Sequence, residues 1–500
     1  MRRRTTLERP TTYQELVTEV RRYDRDQLLL ALANYSRIWD GSHTLPEGRT
    51  NPFLPWNVAG AAATALTRGT SGGRAPDADD VAWACYLYFN LEHPGDTADP
   101  GFAVRLLARI LAQQAPYQRA SMLELARPVA LFEQTAFKPD YQPRVMTPGW
   151  GERVLGCSVS EWVSVGFALY AAMKNGSHYP FDWEPGLDTL LGVLGGRARF
   201  EEVVERGFTT DVASFKAERR ALVDAHPGTD YARYQREPYA FNPLYRRPLV
   251  AGIRDGYWVA PCVPAIELRT SALGVLYEGI ADHGDDFSQD TGQLFEQYVG
   301  RHLDLLPGVP VVPEVRYRIG KDELLSVDWI VVLPSVVLLI ECKSMIPRRE
   351  IHEGLDAFED AHARLDKPIK QINRTAQAIR DRRPEFATIP ADRPMVGLAV
   401  TLGNFDLANE PRLRALLTTA GVPTAFVGID TIERLVTAPV DELDATMQRA
   451  AAPAADGISE PSSWPETTGN GNPIIEAAFA DLPAVALVGR RLIVGATEAD

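Results

Sequence analysis

Residues 326–344 read SVDWIVVLPSVVLLIECKS. Two apolar runs rich in β-branched side chains flank Pro334-Ser335, the pattern of two buried strands joined by a tight turn. With a two-residue loop Leu333 pairs with Val336, and counting back along the ladder sets Asp328 opposite Glu341. A symmetric four-residue loop keeps that register, whereas a three-residue loop breaks it. Residues directly opposite in an antiparallel pair share a face, and so do residues two apart on one strand. Asp328, Glu341 and Lys343 are therefore expected on one face.

Two carboxylates facing each other in an apolar hairpin repel, and each costs several kcal/mol to bury unless it is neutralised. A divalent cation would neutralise both. Hard oxygen ligands suit Mg2+, with Mn2+ as a substitute, better than zinc. Lys343 is placed to hold or deprotonate a water that attacks phosphorus. The plainer alternative is a Glu-Lys pair at a solvated strand end, since the tripeptide Glu-x-Lys is common by chance.

Asp328, followed thirteen positions later by Glu341-Cys342-Lys343 at the end of a hydrophobic strand, resembles the PD-(D/E)xK nuclease superfamily. Val327 stands where that family carries proline. Upstream, residues 292–296 read GQLFE, similar to the G-x-x-F/L-E helix of its nuclease-related (NERD-like) and Mrr-like members. The resemblance covers about residues 285–437 and implies an α/β restriction-endonuclease-like core of order αβββαβαβ, preceded here by a large, mainly α-helical region. It implies Mg2+ held by Asp328, Glu341 and the backbone carbonyl of Cys342, with Lys343 orienting the attacking water. It also implies that Glu296 supports a second ion or the hydration shell and that Gln371 sits near the active site. DNA is the expected substrate, with RNA open. A catalytically silent module that binds nucleic acid or a protein is the alternative. The layout of helical region plus nuclease resembles antiphage and restriction proteins, which implies a protein partner for the helical region.

Four regions are expected. Residues 1–228 read as mainly helical, beginning with a Thr12/Glu15 capping box. Asp79 and Asp80 open AWACYLYFNLE, Pro100 precedes GFAVRLLARILAQQ, and SEWVSVGFALYAAM from Ser160 is apolar enough for a buried helix. Trp83, Tyr86, Tyr88 and Phe89 are expected to build core. Residues 229–284 form a Pro/Tyr/Arg-rich connector with a hairpin turn at Asp255-Gly256. Its Tyr231, Arg233, Tyr234, Arg236, Tyr245, Arg246 and Arg247 suit either a single-strand-binding surface or a docking segment. Prolines every few residues favour docking.

Within residues 285–437 a helix begins near Asp286, a first strand is VVPEVRYRI, and a helix starts at Asp366 with Pro368 in its first turn. That helix carries Ile369, Ile372, Ala376 and Ile379 on one face. Lys367, Lys370 and Arg374 share another, and are the expected phosphate contacts, with a merely solvated face as the alternative. The strand MVGLAVTL, a helix from about Asn409, the strand TAFVGI and an Asp430/Glu433 capping box complete the region. Residues 438–500 read as a helix, a flexible linker at 450–472 and a tail that forms a hairpin or a partner-binding peptide.

Composition limits the alternatives. The net charge of −14 argues against coating nucleic acid through bulk charge, so any binding surface must be local. Cys85, Cys157, Cys262 and Cys342 show neither zinc nor disulfide spacing, as expected of buried thiols in a cytoplasmic protein. Arg2, Arg3 and Arg4 are followed by no apolar signal core, and the run 329–340 falls short of the about 20 residues a membrane helix needs. Export and membrane insertion are not expected. A GxxxxGK[ST] loop is absent, which excludes a P-loop ATPase. Whether the chain forms homo-oligomers is open at this stage.

Overall fold

The computed structural model describes residues 9–44, 50–92, 117, 125–179, 185–225, 228–344, 358–403, 405–409, 414–415, 417–451 and 471–485. The chain is mixed α/β. Its first helix, Tyr13–Val20, carries the reciprocal Thr12/Glu15 capping box. The helix Ala78–Phe89 is capped by Asp77 and Asp80, one turn boundary earlier than expected. Its buried side is Val81, Ala84, Cys85 and Leu87; Phe89 is exposed and Trp83, Tyr86 and Tyr88 are only half-buried, so the aromatic face flanks the core and does not build it. Helix Val159–Gly176 begins after the N-cap Ser158 and is buried over most of its length. The expected helix after Pro100 lies outside the described residues.

Four short strands, β1 (His178–Tyr179), β2 (Thr209–Asp211), β3 (Leu249–Arg254) and β4 (Tyr257–Val259), form a sheet in the order β1-β4-β3-β2. The β3–β4 hairpin turns at Asp255-Gly256, with Arg254 opposite Tyr257. In the connector Tyr239, Phe241, Leu244 and Tyr245 are buried against the first helices, while Arg246 and Arg247 bind Glu278. Those aromatic rings are docked, and Tyr231 alone among the large apolar side chains there is strongly exposed.

The central sheet comprises β5 (Val311–Pro313), β8 (Trp329–Val332), β9 (Val337–Lys343), β10 (Met395–Thr401) and β11 (Thr424–Gly428), in the order β11-β10-β9-β8-β5. Strand β8 is the antiparallel neighbour of both β5 and β9. The long connection after β9 returns β10 and β11 as parallel partners. The single expected strand VVPEVRYRI is broken after Pro313. Its second half becomes β6 (Arg316–Ile319), which pairs with β7 (Asp322–Leu325) as a separate ribbon turning at Gly320-Lys321. Proline offers no N–H to continue a ladder, and DELL lacks the β-branched pattern that marks its neighbours.

Alternation along β9 sorts its side chains between two cores. Leu338, Ile340 and Cys342 face the larger one, packed with Phe295, Tyr298, Val299 and Leu303 of helix Ala272–Leu303. Val337 and Leu339 face the other, with Ile372, Ala376 and Ile379. The larger core also takes in Trp162, Val163, Phe200 and Phe208, so helices Val159–Gly176 and Arg197–Phe208 share one interior with the sheet. Helix Ala272–Leu303 breaks at Gly284, whose φ of 57° combined with ψ of −133° is a backbone conformation that glycine alone takes readily. A Cβ on Gly300 would lie 2.2 Å from the Trp329 ring, which is why that helix can approach β8 so closely.

Three further expectations are corrected. The helix bearing Ile369 and Ile372 runs Phe358–Arg380, with Pro368 in its interior and not in its first turn. Asp366 is accordingly no cap for that helix: it accepts a 2.6 Å bond from Thr418 N and pairs with Lys370. The helix Ile429–Leu435 has Gly428 at its N-cap and no side-chain cap. Glu433 is buried and bound to Arg127 and Tyr298 instead. Between β10 and β11 a 3-10 turn spans Asp406–Asn409; most of the helix expected there lies outside the described residues, as do residues 452–470 of the expected linker and the tail beyond residue 485. The linker is shorter than the expected 450–472, because Ala450 and Ala451 close helix Val440–Ala451 and Asn472 caps the next helix. Helix Pro473–Ala480 packs Ile475 and Ala478 into the larger core. All four cysteines are buried and unbridged, and no helix among the described residues is long and apolar enough to cross a membrane.

Candidate active site

The β8–β9 ladder pairs Trp329 with Ile340 and Val332 with Val337, and Leu333 N donates to Val336 O at 3.0 Å. Extending that register by one residue places Asp328 across from Glu341, as the symmetric turn requires. Asp328, Glu341 and Lys343 consequently share the face covered by helix Phe358–Arg380, at the carboxyl end of a strand flanked by a parallel neighbour. In open α/β sheets that end is where sites form.

The turn presenting Asp328 is held from several sides. Ser326 N donates to Val315 O, Val315 N donates to Ser326 Oγ, and Val327 N donates to Thr375 Oγ1 at 3.0 Å. Gln371 Nε2 donates to Ser326 O at 2.7 Å. Gln371 thus fixes the segment that carries Asp328 as well as lining the cleft. Asp328 Oδ2 accepts a 2.6 Å bond from Cys342 N, locking the acid to β9.

Glu341 is fully buried. Its Oε1 is bound by Lys343 Nζ, while Oε2 is buried with no hydrogen-bond partner. Burial pushes the Glu341 carboxyl up to about 7, against the pull of Lys343. Burial, reinforced by the Glu341 charge, raises Asp328 well above the usual carboxylate range. Burial works against the charged form of Lys343, but Glu341 and Asp328 outweigh it and its pKa is raised. The ammonium is therefore fully charged at neutral pH.

These groups open into a cleft of about 350 Å³ lined by Glu296, Glu314, Asp328, Glu341, Lys343 and Lys367, with Gln371, Gln293, Leu325, Lys138, Asp140 and Tyr141 completing its wall. Glu296 comes from the helix on the opposite face of the sheet; its backbone carbonyl accepts from Trp329 Nε1 at 3.0 Å, and its carboxylate is paired with Lys138. The Cys342 side chain lies in the larger core, so only its backbone is available to the cleft. Lys367 borders the cleft and also, with Lys370, Asn373 and Arg374, an adjoining surface groove.

Every residue singled out from the sequence for catalysis or cation binding thus borders one cavity or, for Cys342, adjoins it through the backbone. Sequence reasoning missed Lys138, Asp140 and Tyr141, which arrive from a loop far upstream and carry no local signal. It also missed Glu314, a carboxylate between the apolar pairs Val311-Val312 and Val315-Tyr317 whose placement could have flagged it. Burial raises the pKa of Glu314 too.

Whether the residues suit a divalent cation can be judged from the acids themselves. Two buried carboxylates of raised pKa, one with an orphaned oxygen, form a site whose ionised state is only partly neutralised by the single ammonium of Lys343, and all the side-chain donors are hard oxygens. They fit Mg2+ or Mn2+. Among the described residues no three His, Cys, Asp or Glu side chains stand as a ready-made cage, in keeping with Glu341 and Glu296 each being turned toward a lysine. Comparison with protein-family models, with curated proteins and with solved structures finds no match to this chain.

Proposed function

We propose that this chain is a Mg2+-dependent phosphodiesterase that cleaves DNA, built on a restriction-endonuclease-like core. The single observation that carries the reading is the fully buried Glu341 with an unpartnered oxygen, facing Asp328 and touching Lys343 inside a cleft. A structural ion pair at a solvated strand end would bury neither acid. The order helix, β5, β8, β9, helix, β10, β11, with an antiparallel meander followed by parallel strands, supports the same core.

Asp328, Glu341 and the backbone carbonyl of Cys342 would hold the ion, which when bound supplies Lewis-acid polarisation of the phosphate and a lowered pKa for water. Lys343 keeps a charged ammonium in the cleft, where it orients the attacking water and offsets charge building on the phosphoryl oxygens. Glu296 supports the hydration shell. Gln371 and Thr375 hold the Asp328 turn in place, so that the two acids need not reorganise during the reaction. Lys367, Lys370 and Arg374 extend positive charge from the cleft along one helix and bind the phosphate backbone. The core that helices Val159–Gly176 and Arg197–Phe208 share with the sheet couples the helical region to the site, and a partner acting on that region, as in a bacterial defence effector, would act through this packing.

The test is incubation of wild type, Glu341→Ala and Lys343→Ala with plasmid, linear and single-stranded DNA and with RNA, in magnesium, manganese or EDTA. Cleavage by wild type alone, and only with metal, is expected. Cleavage retained by either variant would refute the assignment. The engagement of both Glu341 and Glu296 by lysines favours one alternative, a module that binds nucleic acid without cutting. Calorimetric Mg2+ binding with every substrate left intact would select it.

A further inference from the structure

The wall of the cleft opposite the sheet is built by residues 133–149, a loop between helix Arg127–Phe132 and helix Trp150–Val154 of the helical region. Pro139, Pro143 and Pro148 stiffen it. Asp290, fully buried on helix Ala272–Leu303, accepts four hydrogen bonds from this loop: Tyr141 Oη at 2.7 Å, Arg144 N at 3.1 Å, Val145 N at 2.7 Å and Met146 N at 2.9 Å. Those bonds outweigh burial and hold the Asp290 carboxyl below its usual range, so it is ionised. At the loop's start Arg301 Nη1 donates to Thr135 Oγ1 at 2.7 Å and to Ala130 O at 2.9 Å. Both anchors sit on the helix that also carries Glu296. The loop is clamped at both ends to the helix lining the cleft.

Between the clamps stands Lys138, whose ammonium enters the cleft and pairs with Glu296. The cleft contains five acids, Asp140, Glu296, Glu314, Asp328 and Glu341, against three lysines. A phosphodiester could approach only where positive charge meets it. Lys343 stands beside Glu341 at the reacting centre and Lys367 on the helix that covers the sheet, so Lys138 is the one cation of the loop among the residues lining the cleft. A buried, preset carboxylate holding three backbone N–H groups in line is a costly device for a loop that merely covers surface.

We propose that Lys138 is a substrate-binding residue of this site: the helical region delivers its ammonium, through the Asp290 clamp, to a phosphate of the bound strand. Glu296 holds the ammonium in place until substrate arrives. The inference rests on the phosphodiesterase reading and adds that the active site is completed by the helical region.

The experiment compares wild type with Lys138→Gln and Lys138→Arg by two readouts. In EDTA, binding of a labelled DNA duplex and of a labelled single strand is followed across a salt series. In magnesium, kcat and KM for cleavage are separated. For Lys138→Gln the slope of log affinity against log salt is expected to fall by about one on duplex, since one phosphate fewer is neutralised, and KM to rise roughly tenfold with kcat little changed. Lys138→Arg keeps the charge and restores both. An unchanged slope and KM in Lys138→Gln, or an arginine variant no better than the glutamine one, overturns the proposal while wild-type cleavage leaves the phosphodiesterase reading standing. A wild type that neither binds nor cuts overturns both.

Discussion

Glu433 accepts hydrogen bonds of 2.8 and 2.7 Å from Arg127, 306 positions earlier in the chain, and a third of 2.7 Å from Tyr298 Oη. One buried carboxylate thereby joins the helical region, the helix that carries Glu296, and the helix following β11. Arg127 outweighs burial and keeps the Glu433 carboxyl below its usual range. Removing the arginine leaves a buried charge uncompensated. Arg127→Ala is expected to cost about 3–5 kcal/mol in urea unfolding, and the double change Arg127→Met with Glu433→Gln distinctly less. Equal losses in the two proteins would show that the ion pair is not what holds these regions together.

A second buried cluster sets the response to acid. Burial alone would raise the Glu278 carboxyl, but Arg269, then Arg247 and Arg246, outweigh it and hold it at about 2. The folded value lies below the unfolded one, so this stabilisation is complete above about pH 4.5 and is lost as pH falls toward 2. Its size is about 3 kcal/mol by linkage. The stability gap between wild type and Glu278→Gln, measured by urea unfolding, should therefore be widest near pH 6 and narrow below pH 4. A gap independent of pH would mean that the arginines are satisfied elsewhere.

The cation site reverses that sign. Asp328 and Glu341 both have folded values above their unfolded ones, so without metal their contribution is favourable in acid and is lost as pH rises, for Glu341 through about 7. A divalent cation binds the ionised pair and competes with its protons. The rise in thermal midpoint on adding magnesium or manganese should accordingly be small at pH 5, larger at pH 8, and absent in Glu341→Ala at both. A shift equally large at pH 5 would place the bound ion elsewhere on the protein.

The hairpin register was legible because side-chain alternation and a symmetric turn leave only one way to bury VVLLI against WIVV, and that register carries Asp328, Glu341 and Lys343 to one face. The helix Val159–Gly176 was legible from its nearly continuous apolar run, and the buried face of Ile369, Ile372, Ala376 and Ile379 from helical period. What could not be read were features decided by tertiary contact. Pro368 suggested a helix start, but one missing N–H is a local cost that packing of the flanking turns overrides. Glu433 had capping-box spacing, yet a buried arginine from residue 127 claimed it. β7 is too polar to announce itself and exists because β6 needs a partner. Lys138 illustrates the general limit: a site assembled from residues about 200 positions apart has no spacing to recognise.

The groove beside the cleft offers a prediction in which removing an acid strengthens binding. Lys370 Nζ is paired with Asp366, whose other oxygen accepts the Thr418 N–H. Lys370, hydrogen-bonded to it, and the Thr418 N–H outweigh burial and keep the Asp366 carboxyl at about 2, so the pair is neutral overall at working pH. Asp366→Asn retains an acceptor for Thr418 and releases the ammonium of Lys370 to a phosphate. Duplex binding in EDTA should tighten roughly threefold and its salt slope steepen by up to about one. Arg374→Gln should do the opposite, weakening all sequences alike and reducing the slope by about one. If Asp366→Asn weakens binding while circular dichroism shows the fold intact, the groove is a solvated face and the phosphate backbone lies along another surface.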